Sequence, residues 1–477
     1  MKGSRAWGAV LTMFFAGLVL AGVTFTARAQ TEALAAPQQG NTAEQGARVM
    51  HLSPGDPLPP LQAGDVLNLA PGRYVGPWEI SEADVVIRGA GATLVSQGEG
   101  STLVLAAPGI RVEGLNVEGS GPVDDLYTPD AAFWLLGCVA CVLDGVSSVN
   151  ARSAVRAEGS WAAQVTGASF LGAQGSPAVT VFDSPGFGLE NTVVNGFLDG
   201  IYIEKSDSAS VISSEFVGAG RYALHVMFSR DTLLEGNTVR GGQVGSAAMY
   251  GRGLLARGNR FEGHVGPLAF GLLLQELEEA VVVGNQFDGN TVSMLVVSAP
   301  DVRVEANDVS GSGFGMLVQR TRSGPVSGVV VEGNRFHGNV SDIAVDDPEA
   351  ALRVHGNQFE SASRLDLDGD GVSDVPHLPS SSFDMLASRQ PDLSLFALSP
   401  GVILWQTAEA SVPALRLATL QDASPLLTVE GPWRAAAMAP PSLEAGEVTS
   451  GAPLALGLIV SMVILGTAFG RTRAEQA

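Results

Sequence analysis

Three residues place soft donor atoms at a regular spacing. His225 and Met227 alternate in RYALHVMF, and Met249 follows Met227 by 22 residues in GSAAMYGRG. An extended backbone sends alternate side chains to one face, so His225 and Met227 share a side. Two thioethers beside an imidazole form a donor set that selects Cu(I) over hard cations. Plain packing is the competing reading, because Met also fills irregular gaps in apolar cores. A second group offers oxygen. DLDGDGVSD sets Asp366, Asp368 and Asp370 at alternate positions, then Gly371 and Asp374, which is the ligand spacing of a calcium loop with Gly at its turn. The closing bidentate Glu of such a loop is replaced by His377. The segment therefore reads either as a calcium site completed by an oxygen from elsewhere or as an acidic turn that caps the fold. Cys138 and Cys141 are the only cysteines. C-x-x-C in an oxidising compartment fits a small disulfide, a soft-metal pair or two small buried side chains.

A repeat must position these residues. Short phrases such as SSEFVG, GNTVRG and GNRFEG recur through most of the chain. With the second residue of each phrase as anchor, the series is Ala90, Leu115, Val146, Ala168, Asn191, Ser214, Asn237, Asn259, Asn285, Asn307, Asn334 and Asn357. Its intervals are 25, 31, 22, 23, 23, 23, 22, 26, 22, 27 and 23 residues. Each unit holds two or three β-branched runs and is too short to bury an apolar face alone, so the units must stack. The expected fold is all-β, a right-handed parallel β-helix of about 12 coils of 22–23 residues over 64–360. Val, Leu and Phe would fill its interior, with Gly and Asn at corners of positive φ. Ten residues separate Met227 from Asn237 and Met249 from Asn259, so the two sulfurs should stack on neighbouring coils about 4.8 Å apart. Met294 and Met316 share the 22-residue spacing, but the long coil before Asn334 argues against their alignment. The longer intervals require extra loop residues, expected at 121–131, 276–279 and 320–324.

The rest of the chain is read by composition. Forty-nine acidic residues against 27 basic ones leave a net charge of −22, and Lys2 and Lys205 are the only lysines. That balance excludes a nonspecific nucleic-acid binder, which needs clustered cations. Residues 1–29 run from a basic start through AVLTMFFAGLVLAGV to Ala27-Arg28-Ala29, the pattern of a secretory signal. Residues 30–63 read as a mobile leader and N-terminal cap, and 361–380 as an Asp-rich capping loop. Residues 381–429 form an apolar helical docking segment interrupted by Pro391, Pro400 and Pro413, which packs under the last coil or meets a membrane or membrane protein. A linker, 430–451, leads to 452–470, 19 uncharged residues that would span about 28 Å as a helix. Arg471 and Arg473 in the tail, 471–477, would stay cytoplasmic and leave the body outside. The expected location is the periplasm, or the outer face of the cytoplasmic membrane, anchored by this transmembrane helix.

The ordered strings GIYIEKSDS, RYALHVMFSRD, AAMYGRG with GNRFEG, and LDLDGDGVSDVP resemble the NosD family, the exported β-helix accessory proteins of nitrous-oxide reductase maturation. The resemblance spans about 64–427. It implies no catalysis, but a role in handling or positioning copper and in docking the reductase on an ABC-type transporter. The implied partners are an ABC-type ATPase and permease, a copper-binding lipoprotein and nitrous-oxide reductase, with the segment after Asp374 meeting the permease. His225, Met227 and Met249 lie in the matching strings and are the candidates for metal handling. The anchor at 452–470 departs from the family pattern. Two alternatives from other classes stand beside this reading: a carbohydrate-active β-helix enzyme, which needs acids clustered in a groove, and a membrane-anchored structural solenoid.

Overall fold

A computed structural model describes residues 47–429 apart from 173–174, 322–325, 347–349, 391–392, 394–395, 398, 413–414 and 416–419. The described residues belong to the unit that ends at Trp433, and the second unit, Arg434–Ala477, lies outside them. The expected signal at 1–29, the leader as far as residue 46, the linker, the apolar span at 452–470 and the tail also lie outside them. Among the described residues no helix is long and apolar enough to cross a membrane.

Residues Val49 to Phe359 form 39 short strands, from β1 (Val49–Leu52) to β39 (Gln358–Phe359). They make three sheets of 14, 12 and 13 strands, and within each sheet the neighbours are, for most strands, three apart in sequence. Pairing is parallel, with short runs of like residues in register. The chain thus winds as a right-handed parallel β-helix of about 12 coils. At about 4.8 Å per coil the rod is roughly 58 Å long. The first rung comes earlier than residue 64: VMHL of β1 pairs with Val66–Leu69 and buries Leu52.

The recurring phrase has a division of labour that its letters conceal. Its first residue takes the left-handed conformation, with φ of 63° at Gly236 and Gly258 and 64° at Gly284. Glycine suits that corner because it has no Cβ to clash. The following Asn turns inward and is fully buried, contrary to the expectation that Asn shares the corner. Asn237, Asn259, Asn285, Asn307 and Asn334 each donate a backbone N–H to the side-chain oxygen of the next Asn, at 2.9–3.0 Å. Each Asn Nδ2 also donates to the next Oδ1. Asp422 ends the ladder by accepting from the N–H groups of Gly356 and Asn357. In an earlier coil the corner residue is Asn191, with φ of 50°. The true ladder position there is Thr192, whose N–H donates to Ser214 Oγ, so the anchor series is corrected by one residue. Two residues after the Asn, the phrase GN-x-F buries a ring: Phe261, Phe287, Phe336 and Phe359 line the core, and Phe261 stacks on Phe287 at 5.1 Å. A second, shorter ladder runs His264, Asn290, Ser312 and Asn339 through backbone N–H donors. Burial pushes the His264 imidazole down to about 4, so at neutral pH it serves this ladder as an uncharged core group.

Inserted residues stay at corners. Gly119 to Asp130 connect strands Asn116–Glu118 and Ala131–Leu136, as expected for the first long coil. The 26-residue interval places its extra residues between Glu262 and Phe270, not at 276–279. Five residues separate Gln275 from Val281, the same as separate Met249 from Leu255, so that corner is unlengthened. The third insert follows Gln319, after the paired strands, and Met294 therefore does align with Met316. Both sulfurs of that pair belong to the interior.

Two helices follow the coils, α1 (Ser382–Arg389) and α2 (Pro400–Ser411). Ser381 caps α1 by accepting from the Asp384 N–H while Asp384 accepts from the Ser381 N–H, a reciprocal capping box. Ser399 with Pro400 starts α2. The helices do not sit under the last coil. Phe383, Ala387 and Val402 pack on Leu295, Leu317 and Ala344, the outer face of the 12-stranded sheet. Closure of the last coil falls instead to Asp422, whose backbone bridges Val354 and His377. Beneath α1, burial pushes the Asp342 carboxyl up to about 6 and raises Asp384 in the same direction. A raised carboxyl holds its proton more tightly in the docked state, so its contribution is complete below its ordinary value and is lost as pH rises through about 6. Amide exchange in α1, corrected for intrinsic rates, should accelerate as pH rises from about 4 to about 6 and level off above that. Asp342→Asn should flatten that dependence.

Candidate metal-handling site on the outer sheet face

Strand β22 (Tyr222–Met227) lies between β19 (Ile201–Glu204) and β25 (Val244–Met249). From Leu224 on its side chains alternate, with Leu224 and Val226 entering the core. Tyr222, His225 and Met227 occur on either side of them. The register pairs Tyr202 with His225 and Ala247, and Glu204 with Met227, Met249 and Gln275. Met227 and Met249 are thus direct cross-strand neighbours, half-buried and outside the core cluster that holds Met294 and Met316.

His225 does not share their exposure; only 3 % of its surface is open. Tyr222 covers one side of the imidazole at 4.3 Å between centroids and Tyr202 another at 4.9 Å. Its Nδ1 lies 3.0 Å from Oδ2 of Asp199, and its Nε2 is buried with no hydrogen-bond partner among the described residues. Asp199 is completely buried. Burial alone would push its carboxyl up, but hydrogen bonds and charge from His225 and Arg221 outweigh that and hold it below the usual carboxylate range. Arg221 approaches through Nε at 2.9 Å and Nη2 at 2.6 Å. The Tyr202 hydroxyl bonds to the Glu204 carboxylate and lies 3.8 Å from the Met227 sulfur. Burial and then Glu204 raise the Tyr202 pKa strongly, so the phenol stays protonated. Two thioethers and an imidazole nitrogen with an unshared pair are donors that suit a soft, singly charged ion.

The spacing H-x-M with the 22-residue period found three members of this cluster, His225, Met227 and Met249, and missed Asp199, Tyr202, Glu204 and Arg221. One signal was available: Arg221 follows Asp199 by 22 residues, one coil, which sets opposite charges on adjacent turns. Phe228 and Tyr250, the residues after the two methionines, stack at 5.3 Å on the surface. They take φ of 50° and 57° at a corner that Gly137 and Gly159 fill in earlier coils. The left-handed conformation costs a side-chain residue about 1–2 kcal/mol, comparable to what a half-exposed ring stack returns. Phe228→Gly should therefore leave stability within about 1 kcal/mol in urea unfolding, whereas Phe261→Ala in the core should cost about 3–5 kcal/mol.

The other candidates are placed elsewhere. Asp366, Asp368 and Asp370 offer oxygen atoms within 4.8 Å of one another. Asp374 stands apart from that trio, and its Oδ2 accepts from the Leu367 N–H at 2.6 Å. Backbone N–H groups, Gly371 first, hold the Asp366 carboxyl below its ordinary range. His377 faces the Phe359 ring at 4.5 Å, and burial pushes its imidazole down to about 4. Cys138 and Cys141 are joined as a disulfide in the core, which leaves no thiolate for a soft metal. His337 pairs with Asp308 and His355 is exposed.

The fold is a parallel β-solenoid, and its outer face carries two thioethers beside a buried imidazole. A family model described as "Periplasmic copper-binding protein (NosD)" matches residues 162–374, which include the whole cluster. A protein of Pseudomonas aeruginosa named "Probable ABC transporter binding protein NosD" is 27% identical over 80% of this chain and 93% of its own length. A protein of the same name from Stutzerimonas stutzeri is 25% identical over 75% of this chain and 86% of its own. The chain is similar to these NosD proteins over most of its length. Among solved structures, the A-module of the Azotobacter vinelandii mannuronan C-5 epimerase AlgE6 superposes with a TM-score of 0.52 at 14% identity, over 62% of this chain and 91% of that one. That likeness is one of fold.

Proposed function

We propose that this chain is an exported accessory protein of nitrous-oxide reductase maturation that handles Cu(I) at Met227, Met249 and His225. The carrying observation is the cross-strand pair of outward thioethers beside a buried imidazole whose Nε2 has no hydrogen-bond partner among the described residues. The copper-binding description of the family and the transporter-binding name of its relatives support it. In this reading the rod docks the reductase, receives copper from a copper-binding lipoprotein, and attaches to an ABC-type ATPase and permease. The exposed side chains Ile403, Leu404 and Trp405 of α2 suit the permease contact, and 452–470 would hold the protein at the outer face of the cytoplasmic membrane. Calcium at Asp366, Asp368 and Asp370 is a separate reading, supported by the gathered oxygens, in which the ion would stiffen the turn. The carbohydrate-active alternative needs an acid and a base free to move protons, and Asp199 is locked by Arg221 and His225. The test is anaerobic competition for Cu(I) between a chelator and the full-length chain, with Met227→Leu and Met249→Leu together as the variant. Equal affinity of variant and parent would overturn the assignment.

A further inference from the structure

The His225 imidazole is held by more groups than packing requires. Asp199 receives Arg221 Nε at 2.9 Å, Arg221 Nη2 at 2.6 Å, the Tyr222 N–H at 3.3 Å and His225 Nδ1 at 3.0 Å. An ionised carboxylate can only accept, so the nitrogen facing it must carry the hydrogen. A neutral imidazole in that setting has its lone pair on Nε2, and Nε2 is the atom left buried without a partner among the described residues. Tyr202 and Tyr222 stand against the ring and prevent the flip that would exchange the two nitrogens. An unsatisfied buried polar atom costs about 1–3 kcal/mol; His264 and His377 also bury ring nitrogens without a partner among the described residues, but neither has a carboxylate oxygen recorded in hydrogen-bond contact with its ring, as His225 has. A carboxylate behind one imidazole nitrogen, leaving the other as a fixed donor, is the usual support of a metal-bound histidine.

We infer that Arg221 and Asp199 are positioning residues that lock His225 in the Nδ1–H tautomer and present Nε2 as a ready donor for a soft metal ion. The inference rests on the copper reading for the identity of the ion, but the tautomer lock stands independently of it. Arg221 aligns the carboxylate, the carboxylate fixes the proton on Nδ1, and the ring needs no rearrangement when the ion arrives. The arrangement extends over two coils, since Asp199 precedes β19 and Arg221 precedes β22.

Nitrogen-15 NMR of the metal-free, full-length protein at pH 8 reads the tautomer directly. The expected result is a protonated Nδ1 and an unprotonated Nε2 for His225, and an Nε2–H tautomer or a mixture of the two overturns the inference. Asp199→Asn removes the charge while keeping the shape. It is expected to lose the single tautomer and to weaken Cu(I) binding about 10- to 100-fold, with its urea midpoint showing that the rod remains folded. Arg221→Lys, a milder change, is expected to broaden the His225 signals and give a smaller loss. Retention of full Cu(I) affinity in Asp199→Asn together with loss of the tautomer would overturn the positioning role. Loss of Cu(I) binding in this variant alongside unchanged binding in the double methionine variant would sink the thioether assignment and leave the lock standing.

Discussion

Replacing Met227 and Met249 together by Leu is expected to weaken Cu(I) binding about a hundredfold, taking each thioether as worth at least about 1.4 kcal/mol, a factor of ten. Leucine keeps the volume of methionine, and such swaps usually cost less than about 1.5 kcal/mol of stability. The half-buried setting of both side chains makes the structural cost smaller still. The expected outcome is thus a protein with a near-parental urea midpoint and a large shift in chelator competition. Met294→Leu with Met316→Leu provides the contrast. That pair has the same register but lies in the interior, so Cu(I) affinity should not change. A loss in the interior pair equal to that in the outer pair would mean that affinity follows rod integrity rather than the outer donors.

Asn285→Ala should be among the most destabilising single substitutions in the rod. Asn285 Oδ1 accepts from the backbone N–H and from Nδ2 of Asn259, and Asn285 Nδ2 donates to Ala256 O and Asn307 Oδ1. Truncation leaves at least two buried donors of Asn259 and two acceptors short of a bond. At about 1–3 kcal/mol for each donor stranded in the interior, the loss is about 2–6 kcal/mol. Because a solenoid is held by nearest-neighbour contacts, the defect should also divide the rod, so that unfolding loses its single transition. Equilibrium urea unfolding followed by far-UV circular dichroism measures both. A midpoint within error of the parent would show that the ladder is not a main source of stability.

The architecture was legible because a coil repeats its demands. A phrase that returns at 22 or 23 residues can only be a stack, and the ten-residue offset of Met227 and Met249 from their anchors carried over directly into the paired register. What the letters did not disclose was which residue of the phrase bears which duty. Gly and Asn both tolerate positive φ, and only the backbone shows that Gly236 takes the corner while Asn237 turns inward. The same ambiguity placed the anchor on Asn191 rather than Thr192. Insert positions were hard to read for a related reason. Interval lengths fix how many residues are extra but not at which of three corners they leave the coil, and so the extra residues before Phe270 were expected after it. The outer-face cluster was half visible. H-x-M is a local pattern, whereas Asp199 and Arg221 reach His225 across coils and become neighbours only after the period has been applied to charged residues as well as apolar ones.

The placement of inserts at corners gives the rod a metric property. Strand spacing is preserved through every coil, so features on the outer sheet face are separated by whole multiples of about 4.8 Å. The strand that ends in Met249 and the strand that carries α1, Ser341–Val345, are four steps apart in the 12-stranded sheet, or about 19 Å. The solenoid is in that sense a graduated gauge. Evolution can lengthen a corner to reshape a surface without moving the outer-face thioethers relative to the helices, and can change that distance only by gaining or losing an entire turn.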